Sequence, residues 1–114
     1  MTEKEYTQKI NERLKLIKET LIIKGKEYHV NGNPLHNFET AAKIKNETRE
    51  EALDGMMIKQ YVSYRDILNT LKTDKEVTEK YIREKMGDII NYFIISEIIM
   101  LDTIDNKFKD ELIF

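Results

Sequence analysis

Residues that interrupt a helix are scarce in this chain, and this scarcity limits what it can fold into. The 114 residues include four glycines and a single proline, Pro34. Over most of the remaining sequence, apolar side chains recur every three or four residues, the spacing of one helix face. A chain of this length suffices for one domain. We therefore predict an all-α fold, a small bundle of three long helices and one short helix, as a single domain over residues 1–114.

Helix-end signals divide the chain further. Gly25 is a natural stop for the first helix, and Asn37 is a candidate N-cap for the short one. Thr48 and Thr73 are each followed three residues later by a glutamate, which is the form of a capping box. The predicted helices cover residues 2–24, 38–45, 48–71 and a last segment from 73 onward.

The last helix is apolar over more than one stripe between Met86 and Leu101. A bundle of this size cannot bury so wide an apolar surface internally. The apolar residues 112–114 also need a partner surface, whether the segment before them extends the helix or folds back. We predict a homo-oligomer, either a dimer or a tetramer.

Composition excludes several classes of function. The chain has no cysteine, which excludes a disulfide framework, a thiolate metal site and a cysteine nucleophile. The apolar run over 89–101 is too short to span a bilayer, and the N-terminus lacks the apolar segment of a signal peptide. With 19 basic and 21 acidic residues there is no basic excess to coat a nucleic acid polymer. We expect a cytoplasmic protein that binds neither a membrane nor a nucleic acid polymer.

The segment after the first helix, residues 25–37, is predicted to be an ordered loop. Long loops in compact domains are usually functional when they are not disordered, and this one carries aromatic and histidine side chains. Lysine beside Gly25 can approach a phosphate, and an aromatic ring can stack on a base or pin the loop. The candidate ligand contacts here are Lys26, Tyr28, His36 and Asn37.

Polar residues interrupt the apolar stripes of both long helices that follow. Lys59, Ser63 and Asp66 are spaced i, i+4, i+7 on the third helix, so they share one face. The last helix repeats this spacing with a second polar triad: Glu84, Asp88 and Asn91.

If the two triads meet, their charges must be paired or satisfied by a ligand, and three interpretations remain open. In the first interpretation, Lys59 pairs with Glu84 or Asp88 and the contact is purely structural. In the second, the carboxylates of Asp66, Glu84 and Asp88 hold Mg²⁺ through water against the phosphates of a substrate. In the third interpretation, Lys59 and Arg65 meet a phosphate while Ser63 or Asn91 meets a polar edge of the same ligand.

The pieces KGKEY, LHNFETAAKI, REEALDGMMIKQYVSYRDIL and EKMGDIINYFIISEII resemble a family of small bacteriophage proteins labelled as a nucleotide-modification-associated domain. The resemblance covers roughly residues 24–99, most of the chain. It implies an all-α fold and a phage origin. A phage-encoded protein of this kind is expected to be located in the cytoplasm of the host.

The EKMGDIINY portion is also similar to the second metal-binding helix of all-α NTP pyrophosphatases of the MazG type. Those enzymes bind Mg²⁺ with paired carboxylates from two helices. Glu84 and Asp88 match that pattern, but Lys85 stands where an acid is expected. On the third helix Lys59, Ser63 and Asp66 replace the expected pair of glutamates. The resemblance therefore favours a nucleotide binder over a metal-dependent hydrolase.

Our leading functional prediction is a phage protein that binds a small nucleotide without a cofactor. The best candidate is a sponge that sequesters the cyclic dinucleotide signals of host immunity. The first alternative is a Mg²⁺-dependent NTP pyrophosphatase, with Asp66, Glu84 and Asp88 as metal ligands. The second alternative is an adaptor that binds a host protein through the apolar last helix.

Overall fold

A computed structural model describes the backbone of residues 1–112 and the side chains of residues 1–107. Within that part of the chain the ordered elements are helical and no strand is formed, which confirms the all-α prediction. The α-helices are α1 (Glu3–Lys18), α2 (His36–Lys45), α3 (Arg49–Thr70) and α4 (Glu79–Leu112). A π-helical turn, Glu19–Ile23, and a 3-10 turn, Gly25–Tyr28, follow α1.

The chain divides into two compact units, Met1–His36 and Asn37–Phe114. The prediction of a single domain over residues 1–114 stays a prediction. No described helix is long and apolar enough to cross a membrane.

The first unit starts with a capping box. Thr2 Oγ1 accepts a hydrogen bond from the backbone N–H of Glu5, and the Glu5 carboxylate accepts one from the N–H of Thr2. The predicted helix over 2–24 does not stay α-helical, because the Lys24 N–H reaches back five residues to the Glu19 carbonyl at 2.8 Å. After the 3-10 turn, Asn31 and Gly32 adopt φ values of 53° and 73°. The Asn-Gly pair thus forms the irregular turn that its residue types favour.

The second unit contains α2, α3 and α4. Helix α2 begins at His36, so Asn37 lies in its first turn and the predicted N-cap at Asn37 is wrong. Helix α3 begins as predicted: Thr48 Oγ1 accepts from the Glu51 N–H, and the Glu51 carboxylate accepts from the Thr48 N–H, both at 3.1 Å. Hydrogen bonds from the Thr48 backbone and hydroxyl lower the pKa of Glu51 below its ordinary value.

Helix α4 begins at Glu79, so its predicted start at Thr73 is wrong. The Thr73 hydroxyl donates to the Thr70 carbonyl at 2.7 Å and therefore closes the end of α3. Thr78 caps α4 instead, accepting from the Tyr81 N–H at 3.1 Å. Helix α4 then continues through Leu112, so the tail extends the helix. The predicted partner surface of residues 112–114 lies outside the described side chains.

Helices α3 and α4 form an antiparallel layer that holds most of the core. A short connection joins the C-terminal end of α3 to the N-terminal end of α4, and Arg49 at the start of α3 contacts Asp102 near the far end of α4. The buried apolar side chains of the second unit are Ala42, Ala52, Leu53, Ile67, Ile89 and Ile99.

We expect Thr48→Ala to lower the free energy of unfolding by about 1 kcal/mol, because it leaves backbone N–H groups of α3 without a cap. Chemical denaturation measures the change. Thr7→Ala is the matched control, since Thr7 is exposed in the middle of α1, and it should stay within about 0.5 kcal/mol of the parent. Equal losses in both variants would show that the cap at Thr48 is not the cause.

Candidate ligand-binding face

Side chains at one end of the α3–α4 layer fix how the two helices align. Arg49 donates through Nη1 to Asp102 Oδ2 at 2.8 Å and through Nη2 to Thr103 Oγ1 at 3.1 Å. The Thr103 hydroxyl in turn donates to Glu50 Oε1 at 3.0 Å. The first turn of α3 therefore lies beside residues 102–103 of α4.

From this contact the two polar triads can be placed relative to each other. Ser63 lies fourteen residues after Arg49, and Asp88 lies fourteen residues before Asp102. Fourteen residues are close to four helical turns, or about 21 Å along the axis. Ser63 and Asp88 therefore lie at the same level and on the same side of the layer as the Arg49–Asp102 contact.

The same count pairs the remaining members of the triads. Lys59 lies at the level of Asn91, and Asp66 lies at the level of Glu84. Both triads thus line one side of the α3–α4 layer, here called the polar face: Lys59, Ser63, Asp66, Glu84, Asp88 and Asn91.

The polar face is not closed by internal ion pairs. Within the described part of the chain, the structure contains no ion pair between Lys59 and either Glu84 or Asp88. The Ser63 hydroxyl donates to the Lys59 backbone carbonyl at 3.2 Å, which occupies the hydroxyl hydrogen but no charged group. Lys59, Asp66 and Glu84 are exposed, whereas Ser63, Asp88 and Asn91 are half-buried. The charges of the two triads are therefore available to a ligand.

Two amide oxygens near the polar face lack a hydrogen-bond partner. Asn91 Oδ1 and Gln60 Oε1 are both inaccessible to solvent and accept no hydrogen bond. They lie at the same level, eleven residues before Asp102 and after Arg49 respectively. An unsatisfied buried oxygen costs about 1–3 kcal/mol. The Asn91 side chain is half-buried and its terminal torsion is broad, so a ligand that donates a hydrogen bond can be met by rotation of the amide.

A second cation lies near Lys59. The Lys45 Nζ atom, at the end of α2, lies 3.6 Å from where a Cβ would stand on Gly55. Gly55 is one turn before Lys59 on α3, so both ammonium groups border the same end of the polar face. Lys45 also lies 3.7 Å from Glu47 Oε1, but its side chain remains 61% exposed.

The sequence contained a signal for two of the residues that our site prediction missed. Gly55 lies in the interior of a helix, where glycine lowers the stability of the helix by about 1 kcal/mol relative to alanine. A glycine at such a position often has a packing reason, so the sequence alone indicated that another group could approach the backbone there. Gln60 lies seven residues from both Leu53 and Ile67, on the buried stripe. Lys45 had no such signal, because its position depends on how α2 meets α3.

The other end of the polar face is acidic. Asp66 and Glu84 lie there, and Asp66 also lines a hollow of about 330 Å³ beside the α3–α4 connection. Threonine hydroxyls and an aromatic ring complete the hollow, whose lining residues are Asp66, Ile67, Thr70, Glu76, Val77, Thr78 and Tyr81. Its volume is at the lower end of the range for small-molecule sites. From Lys59 to Asp66 is seven residues, or about 10 Å.

Possible metal ligands are few in this arrangement. The described residues contain no group of three or more His, Asp or Glu side chains placed to hold a metal ion. Asp66, Glu84 and Asp88 therefore do not form a three-carboxylate cluster. A Mg²⁺ ion held by fewer carboxylates together with substrate phosphates stays a prediction.

The remaining candidate residues do not all lie on the polar face. Arg65 is exposed and lies six residues after Lys59, a spacing that turns the two side chains about 120° apart around α3. Lys26 and Tyr28 are exposed, and His36 is half-buried, in the first unit. Asn37 is exposed in the second unit. Their ligand contacts stay predictions.

We expect Asn91→Leu to leave the free energy of unfolding unchanged, or to raise it by up to about 1 kcal/mol, in the absence of ligand. Leucine has a similar size and removes an unsatisfied polar atom. Chemical denaturation measures this, with Asn11→Leu in α1 as an exposed control. A loss above about 1 kcal/mol would mean that the Asn91 amide makes a structural hydrogen bond.

No protein-family model, curated protein or solved structure matches this chain. The likeness to the phage family and to the pyrophosphatases therefore stays a prediction, and a proposed function must rest on the residues of the polar face.

Proposed function

We propose that the chain binds a small nucleotide on the polar face and sequesters it without hydrolysis. The observation that supports this most is the combination of two cations, Lys45 and Lys59, with the unsatisfied oxygen of Asn91 on the same face. Cations suit a phosphate, and the unsatisfied acceptor of Asn91, at the level of Lys59, suits a hydroxyl of the ribose next to that phosphate.

The division of charge along the face suits the shape of a nucleotide. Phosphate oxygens bind at the end bordered by Lys45 and Lys59, where the triads place no carboxylate and where the phosphate competes with Glu47, 3.7 Å from Lys45 Nζ, for that ammonium group. The base lies toward Asp88 and Asp66, whose carboxylates only accept hydrogen bonds and therefore favour a base edge that donates them. About 10 Å separates the level of Lys59 from that of Asp66, a length that one nucleotide can span.

A cyclic dinucleotide is the leading ligand class, and a phage protein that removes such a signal from host immunity is the leading role. The residues of the face support binding over hydrolysis, because a lysine and a serine stand where the first helix of a metal-dependent enzyme would supply further acids. We further propose that the protein acts in the cytoplasm as a homo-oligomer, a dimer or a tetramer.

A second candidate is a Mg²⁺-dependent NTP pyrophosphatase. It is favoured by one observation, that Asp66 and Glu84 come from two different helices and lie at the same level of the layer. Two carboxylates and the substrate phosphates can complete the coordination of Mg²⁺. This candidate requires turnover of a nucleoside triphosphate that is lost in Asp88→Ala.

Binding should be measured by the thermal shift of the purified protein with a panel of cyclic dinucleotides and nucleoside triphosphates, with and without Mg²⁺. A thousandfold excess of ligand over Kd stabilises the folded state by about 4 kcal/mol. We expect a cyclic dinucleotide to do this without Mg²⁺ and to be recovered unchanged. Lys59→Gln should weaken the binding about tenfold or more, through loss of a charge-assisted hydrogen bond.

Two further variants sharpen this experiment. Lys72→Gln is the matched control, since it removes an exposed lysine in the connection after α3, and it should bind as tightly as the parent. Gly55→Leu keeps every charge and places a bulky side chain beside Lys45 Nζ, which lies 3.6 Å from the Cβ position, so displacement of this ammonium group should weaken binding as well. Turnover without tight binding would favour the pyrophosphatase, and no affinity for any nucleotide would exclude both proposals.

A further inference from the structure

The side of the α3–α4 layer opposite the polar face carries a cluster of exposed apolar side chains, with two charged residues, Arg65 and Glu97, among them. On α3, Ile58, Tyr61 and Leu68 lie on the other flank of the buried stripe from Lys59 and Asp66. On α4, the corresponding flank carries Phe93, Met100 and Ile104. These six side chains, here called the apolar face, are between 39% and 62% exposed.

The six residues share one side of both helices, and Arg65 and Glu97 lie on that same side at the same helical spacing. Ile58 lies nine residues after Arg49, and Phe93 lies nine residues before Asp102, so the two lie at the same level. On each helix the apolar positions are three, four or seven residues apart, which keeps them on one side. The layer is therefore amphipathic, with one polar and one apolar face.

We propose that the apolar face is the contact with a second copy of this chain. Stable domains have at least two layers of secondary structure packed around one core, and within the described part of the second unit these six apolar side chains stay exposed. Two such layers related by a two-fold axis place identical apolar faces against each other. The product is an antiparallel four-helix arrangement, which is a common way to bury paired helices.

The exposed area agrees with what a stable dimer requires. A fully exposed large apolar side chain offers on the order of 150–200 Å², so six that are about half exposed leave roughly 500–600 Å². A standard interface takes about 800 Å² from each partner, and about 65% of a homodimer interface is apolar, which is roughly 500 Å². The apolar face alone can therefore supply the apolar part of such an interface.

This assignment adds to the proposed function without depending on nucleotide binding. With the apolar faces together, the two polar faces of a dimer point away from each other. Each copy then presents its own complete face to solvent, and one dimer binds two ligands at separate sites.

Sedimentation velocity of the full chain from about 1 µM to about 100 µM tests the interface. We expect a dimer, or a tetramer built from dimers. Ile58→Lys should raise the dissociation constant at least about 100-fold, because it places an unpaired charge in the centre of the contact. Ile44→Lys is the matched control: Ile44 is 79% exposed on α2 and outside the apolar face, so this variant should assemble like the parent.

Circular dichroism checks that the variants stay helical, and Met100→Lys provides a second, independent change on the same face. A parent protein that stays monomeric over the whole range would overturn the proposal. Assembly that survives both Ile58→Lys and Met100→Lys would also overturn it, since the interface would then lie elsewhere. Assembly lost in both variants and kept in Ile44→Lys supports it, whatever the nucleotide measurements show.

Discussion

The contact between Arg49 and Asp102 sets the alignment of α3 with α4, and the positions of all other side chains on this layer follow from it. The contact is partly exposed, with 20% and 42% of the two side chains accessible. Its own contribution to stability is therefore modest, on the order of 1 kcal/mol. Leu53 and Ile99, the largest fully buried side chains, lie beside it and contribute about 1.5–3 kcal/mol each through burial. Apolar burial thus supplies more of the stability of this end than the Arg49–Asp102 contact, and both are satisfied in the same register.

A single register produces two faces of different character. A shift of one residue would move charged side chains into the seam between the helices and apolar ones out of it. In the observed register, the polar face keeps two lysines and two unsatisfied amides near one end and carboxylates near the other. The apolar face lies on the other side. The proposed ligand site and the proposed dimer contact therefore use separate surfaces.

The sequence predicted the helical class and the start of α3 because these depend on local signals. Repeated apolar spacing needs only neighbours along the chain, and the Thr48–Glu51 capping box closes on itself. The start of α4 was missed because Thr73 has two possible roles, and only the structure shows that it closes α3. The π turn at Glu19–Ile23 also gave no clear signal.

The candidate face was predicted in part. The matching spacing of the two triads indicated which residues share a side, but it could not show that the helices align in register. That depends on Arg49 and Asp102, which are 53 residues apart. The approach of Lys45 to Gly55 is also a tertiary contact. Arg65 was placed with Lys59 by its charge, although six residues of helix turn the two side chains to different flanks.

The central claim is that both polar triads line one face, and cross-linking tests it most directly. The chain has no cysteine, so Ser63→Cys with Asp88→Cys introduces the only two thiols. We expect a short bifunctional thiol reagent to join them within one chain quickly and without loss of helicity. Ser63→Cys with Phe93→Cys, on opposite faces, should react slowly or not at all. Equal reaction of the two pairs, or faster reaction of the second, would contradict the account.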